Sequence, residues 1–148
     1  MSALLQQGVT AQAQARPESV AVVHQGMRLT YGELESASNR LAHLLQDAGC
    51  RKNDRVALLM PKSPMAIVAM LGALKAGAIY VPMDPESPAA RQARVLALSD
   101  CRCILAAGPV AALLHDALAA AQLAQPPIIG WLDDEAPAPA QPAPAFTL

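Results

Sequence analysis

Aromatic side chains are almost missing from this chain: Trp131, Tyr31, Tyr80 and Phe146 are the whole set, 3% of 148 residues. That removes any stacking platform for nucleobases. Charge is also scarce, at 16% Asp, Glu, Lys and Arg against about 25% in an average soluble domain. The formal net charge is -1, which gives no electrostatic case for nucleic acid or an anionic membrane as partner. No uninterrupted apolar run approaches the ~20 residues that span a bilayer. Residues 1–7 lack the basic and apolar blocks of a secretory signal. The three cysteines, Cys50, Cys101 and Cys103, are an odd set without zinc-like spacing, so the expectation is a reduced, cytoplasmic protein. A glycine-rich, lysine-containing phosphate loop occurs nowhere.

What the chain has is apolar character, 53% by residue, much of it alanine. Its length suits one domain with a real core. Residues 4–15 can form a helix that Arg16-Pro17 stops. Val20–His24 and Met27–Thr30 read as two strands of a hairpin across Gln25-Gly26. Thr30 with Glu33 three residues on makes a capping box. Behind it Leu34, Ala37, Leu41, Leu44, Leu45 and Ala48 recur at helical spacing up to Gly49. Arg55–Met60 reads as a strand, and Ser63-Pro64 as the cap and first residue of a helix to Ala76. That helix is apolar on nearly every side, which predicts burial on more than one face.

The organising stretch is Leu74–Pro85, Leu-Lys-Ala-Gly-Ala-Ile-Tyr-Val-Pro-Met-Asp-Pro. Lys75 falls in a last helical turn, where a cation complements free carbonyls. Gly77 suits a left-handed helix stop. Ala78–Val81 then predicts a short buried strand that Pro82 ends, followed by a turn at Asp84-Pro85. A helix from Ser87-Pro88 to about Ser99, a strand at Arg102–Ala106, a helix at Pro109–Leu123 and a strand at Ile128–Leu132 follow. Alternating strands and helices predict an α/β fold, a parallel sheet sandwiched between helices, with an N-terminal hairpin. Residues 1–132 are expected to form this unit, and the Pro/Ala-rich residues 133–148 a linker or tail.

The Leu74–Pro85 stretch resembles a core motif of AMP-forming adenylating ligases, the superfamily of acyl-CoA synthetases and nonribosomal peptide synthetase adenylation domains. Met83 stands where leucine is commoner. Leu29-Thr30-Tyr31-Gly32-Glu33-Leu34 and Asn39-Arg40-Leu41-Ala42 resemble that family's first core motif and its helix. Asn53-Asp54-Arg55-Val56 resembles its Gly-Asp-Arg-Val turn, with asparagine in the glycine place. The resemblance implies the first subdomain of the ligase N-terminal domain. The whole enzyme would use ATP and Mg to activate a carboxylic acid, an amino acid by preference, as an acyl-adenylate for transfer to a thiol. The family's phosphate loop, ribose-binding aspartate, hinge and catalytic lysine have no counterpart in this sequence.

The chain alone is therefore expected to be inactive and to hold no catalytic, cofactor-binding or metal residues. Its expected partners are the remainder of the enzyme, or a complementary chain, and a second copy of itself. The alternative is a truncated, non-catalytic interaction module that docks on a partner protein. Among individual residues, Asp84 reads as a turn-maker ahead of a ligand contact. His24, His43 and His115 do not cluster, and each reads as a solvated histidine. Cys101 and Cys103 flank Arg102 at the start of a short strand, and their thiols are expected to face opposite layers. Asp133, Asp134 and Glu135 read as a solvated acidic run.

Overall fold

The computed structural model describes residues 4–132 and 146–148. Helix α1 (Leu5–Ala15) leads into a hairpin of β1 (Val20–His24) and β2 (Met27–Thr30), paired antiparallel with His24 opposite Met27. Gln25 and Gly26 both take positive φ in the turn, +48° and +83°, the geometry whose twist matches the flanking strands. The capping box closes as the sequence predicts. Thr30 Oγ1 accepts the Glu33 N–H at 3.2 Å, and Glu33 Oε2 accepts the Thr30 N–H at 2.8 Å. It starts α2 (Tyr31–Asp47), which buries Leu34, Ser38, Leu41, Ala42 and Leu45. Ala37 and Leu44, expected on that face, are only half-buried. The buried stripe is rotated toward Ser38 and Ala42, and Ser38 Oγ satisfies itself by donating to Glu35 O at 3.1 Å.

From here the chain alternates: β3 (Arg55–Leu59), α3 (Pro64–Lys75), β4 (Ile79–Met83), α4 (Ala89–Ser99), β5 (Cys103–Ala106), α5 (Ala111–Ala121), β6 (Ile128–Trp131) and β7 (Phe146–Thr147). The sheet is parallel throughout, in the order β4-β3-β5-β6-β7. Leu41, Leu45, Val56, Leu58, Val68 and Leu105 form the core beneath α2 and α3. Leu59, Leu96, Ile104, Leu114 and Ile129 form the other, beneath α4 and α5. Alternate residues of β3 and β5 feed the two cores, as a strand covered on both faces requires. Helix α3 is capped by Ser63 Oγ, which accepts the Ala66 N–H at 3.2 Å ahead of Pro64. Only Ile67 of its large side chains is exposed, so α3 is buried on more than one face.

Two expectations need correction. The strand expected at 78–81 runs from Ile79 through Pro82 to Met83, and it is not buried: Ile79 is 50% exposed and Pro82 is exposed. Strand β4 lies at the sheet edge. Ile79 N donates to Asp54 O on the β3 side at 2.8 Å, so alternation turns the Tyr80 and Pro82 nitrogens outward. Proline there forfeits no ladder hydrogen bond, which is why the strand continues through it. The second correction concerns 133–148. Residues 133–145, with Asp133, Asp134 and Glu135, lie outside the described residues. Phe146 and Thr147, expected in the linker or tail, instead pair parallel with Gly130 and Trp131. A two-residue strand leaves no periodicity to read.

Gly77 takes φ +77°, with its N–H on Leu74 O at 3.0 Å and the Ala78 N–H on Ala73 O at 2.9 Å, the paired bonds of a Schellman cap. A Cβ here would meet Lys52 Cγ at 3.4 Å, ordinary contact. Gly77→Val therefore costs backbone strain rather than a clash, and we expect a loss of ~1 kcal/mol or more. Urea melts that coincide with the parent would refute the cap.

Candidate functional site

In open parallel sheets, ligands bind beyond the carboxyl ends of the strands, at the point where strand order reverses. The chain steps outward from β3 to β4, then crosses back to place β5 on the other side of β3. The reversal thus lies between β3 and β5, under the loops that follow them. These loops are pressed together: a Cβ on Gly108 would lie 3.0 Å from Pro61 Cδ. Pro61 stands between two grooves. The larger, about 710 Å³, has a floor of Leu58, Met60, Ala66, Met70 and Met83, with Lys62, Asp84 and Glu86 also lining it. The smaller, about 360 Å³, runs between the hairpin and the start of α3, past Met27, Leu29 and Met65.

Asp84 serves the backbone. Its Oδ1 accepts the Glu86 N–H at 3.0 Å, and Ser87 Oγ lies 3.5 Å from Oδ2. The Asp84 carbonyl accepts from Ser87 N at 3.0 Å and from Gln92 Nε2. Asp84 is the turn-maker that the sequence predicts. Gln92, 1% exposed, ties α4 to that turn. Its signal in the sequence is a polar residue between Ala89 and Ala93 on an otherwise apolar stripe.

The groove does not fit a triphosphate. Its charged lining is one cation against two carboxylates, and Asp84 already spends its oxygens on the turn. Among the described residues, no group of three or more His, Cys, Asp or Glu side chains could hold a metal ion. ATP and Mg would need donors from elsewhere, and no step through them is derived from these residues.

The other sequence candidates stay apart. His43 and His115 are exposed on α2 and α5, and His24 is half-buried in β1. Cys103 packs in the core under α2 and α3 and Cys101 in the opposite one; the two thiols face opposite layers because Cys101 lies ahead of β5, whereas alternation within a strand would put residues two apart on one face. Burial pushes the Cys101 thiol up. Cys50, remote in sequence, lies in the same core as Cys103, with its thiol 4.0 Å from Arg51 O.

Lys75 lies in the last turn of α3 as expected, and it also makes contacts beyond its own helix. Its Nζ reaches Glu35 Oε2 at 2.7 Å and Asn39 Oδ1 at 2.7 Å, both on α2. Thr10 Oγ1 of α1 donates to the same carboxylate at 3.0 Å. This ion pair, with side chains only 10% and 19% exposed, binds three helices, and no local spacing announces it.

A family model described as AMP-binding enzyme matches residues 9–146. The chain is 40% identical over 112 residues to a dimodular nonribosomal peptide synthase of Bacillus subtilis (strain 168), covering 76% of this chain and 5% of that protein. Among solved structures it resembles the nonribosomal peptide synthetase FmoA3 in its alpha-methyl-L-serine-AMP bound form. That match has 32% identity and a TM-score of 0.75, over 87% of this chain and 14% of that one. A benzoate CoA ligase from Burkholderia xenovorans LB400 superimposes with a TM-score of 0.75 at 26% identity, over 89% of this chain and 26% of that one. The chain thus spans a small part of the relatives it matches.

Proposed function

The chain belongs to the AMP-binding enzyme family, and from that premise we propose that it is the opening subdomain of an ATP-dependent, AMP-forming ligase. The complete enzyme activates a carboxylic acid, an amino acid by preference, as its acyl-adenylate and passes it to a thiol. The family match over residues 9–146 carries this reading. The amino-acid preference is supported by the peptide synthase relative and by the amino-acyl adenylate printed for the FmoA3 structure. By itself the chain is inactive, because charge developing on pyrophosphate finds a groove lined by one lysine and two carboxylates.

ATP–pyrophosphate exchange with the full chain and a panel of amino, fatty and aromatic acids tests this. We expect no exchange above a heat-killed control, and exchange once a complementary chain carrying a phosphate loop and catalytic lysine is added. Substrate-dependent exchange by the chain alone would overturn the reading.

Partnership is the second part of the proposal. The remainder of the enzyme, or a complementary chain, docks here, and without it the chain self-associates. Helix α3 does not supply the apolar surface, since it is covered. Val23 at 63% and Met27 at 58% exposure on the hairpin do, beside the smaller groove that Met27 lines. We expect light scattering to show particle mass rising with concentration. A strictly monomeric particle at high concentration removes this part. No described helix is long and apolar enough to cross a membrane.

A further inference from the structure

Strand β4 has a neighbour on one side only, β3. The Ile79 N–H points inward to Asp54 O at 2.8 Å, and alternation fixes the rest. The Ile79, Val81 and Met83 nitrogens face β3, while the Tyr80 N–H and the carbonyls of Ala78, Tyr80 and Pro82 face away from the sheet. Among the described residues, none of these outward groups has a backbone hydrogen-bond partner. An open row of this kind is a template for a further strand.

The edge lacks the usual guards. Strand β4 runs Ile-Tyr-Val-Pro-Met without a charged side chain, is as long as β3, and keeps an unbroken register with it. Ile79 adds exposed apolar surface, at 50%. Only Pro82 stands against pairing. Two copies related by a two-fold axis would meet here antiparallel, each edge facing its own equivalent. With Tyr80 opposite Tyr80, the two residues exchange a pair of N–H···O bonds, and position 82 comes opposite Ala78. Pro82 has no N–H to give the Ala78 carbonyl, and its ring carbons take the place where that hydrogen would lie. Half of the ladder is lost. Sliding the register to set Tyr80 opposite Pro82 meets the same loss.

We propose that Pro82 guards the β4 edge: it stops a second copy of this chain from adding to the sheet strand to strand. Its nitrogen faces outward, so the guard takes nothing from the ladder with β3. This edge belongs to a different sheet from the hairpin, where Val23 and Met27 are exposed. The inference rests on strand order and does not depend on the ligase reading.

Pro82→Thr in the full chain tests this. Threonine suits an exposed strand, and at low concentration the variant should keep the parent's circular dichroism spectrum and urea midpoint. For light scattering, parent and variant both carry Val23→Ser and Met27→Ser, which removes association through the hairpin. The parent should then hold its particle mass across a concentration series, while the variant should double it. Amide hydrogen exchange locates the contact. In the parent the Tyr80 N–H should exchange equally fast at every concentration, and in the variant it should slow by about tenfold or more as the mass rises. Adding Ile79→Lys, a charge on the same edge, should restore fast exchange and the parent's mass. A folded Pro82→Thr variant whose mass and Tyr80 exchange match the parent overturns the proposal. So does a parent whose Tyr80 N–H already gains protection with concentration, a result that needs no variant to fold.

Discussion

Gly72→Ala will destabilise the chain, although alanine is the better helix former. In the middle of α3, a Cβ at Gly72 would lie 2.7 Å from Leu41 Cδ2, 2.8 Å from Cγ and 3.0 Å from Cβ. Leu41 is fully enclosed, and its Cβ is held by the α2 backbone, so swinging the side chain aside does not make room. Helix propensity returns about 1 kcal/mol, while overpacking of this kind costs about 1–3 kcal/mol. We expect a net loss of about 1 kcal/mol for alanine, and about 3 kcal/mol for valine, whose branches add to the same crowding. Urea melts of both variants check this. Leu41→Ala separates the cause: alone it loses about 2–5 kcal/mol, and combined with Gly72→Ala it should lose less than the sum, because the added methyl enters the space vacated. Additive losses would show that the two helices do not touch at this point.

Lys75→Met is the second large effect. It leaves the Glu35 carboxylate under three helices with only neutral donors, Thr10 Oγ1 and Asn39 Nδ2. Removing one partner of a fully buried pair costs about 3–5 kcal/mol. These side chains keep a fraction of their exposure, so we expect about 2 kcal/mol at neutral pH. The pH dependence carries its own signature. Burial works to raise the Glu35 pKa, but hydrogen bonds from Lys75, Thr10 and Asn39 and the lysine charge outweigh it and hold the group below its ordinary value. A carboxylate depressed in the folded state stabilises fully above its unfolded pKa, about 4.3. That stabilisation fades as pH falls from there through the folded value. In Lys75→Met, burial remains while the main opposing partner is gone, so the contribution no longer fades in acid. The stability gap between parent and variant should therefore narrow below about pH 4. A gap of constant size down to pH 3 would mean that Glu35 is not the partner that matters.

Much of this architecture is legible residue by residue. Thr30 with Glu33, Ser63 with Pro64, and left-handed Asn53 and Gly77 are local devices. Each satisfies or bends backbone within a few residues of itself, so the chain states them without reference to its fold. The alternation of strands and helices after Arg55 is equally local, and with right-handed crossovers it leads to a parallel sheet covered on both faces. The turn role of Asp84 follows for the same reason, since its oxygens find partners at Glu86 and Ser87.

Strand order is a different kind of fact. Ile79, Tyr80 and Val81 suit a strand inside the sheet or at its edge, and Pro82 points to the edge only once the strand is known to run through it rather than stop there. The edge position decides that Pro82 is tolerated and Ile79 half exposed. The same holds wherever two distant segments meet. Gly72 looks like a weak point in a helix until α2 is laid across it, and Lys75 looks like an end-of-helix cation until Glu35 arrives from another helix. Cys50 and Cys103 share one core, and Phe146 and Thr147 form a strand, only through partners brought up by the sheet. Local backbone chemistry is encoded at short range and can be read from one sequence. Which side chains share a surface depends on how the layers are stacked, and only the tertiary structure decides that.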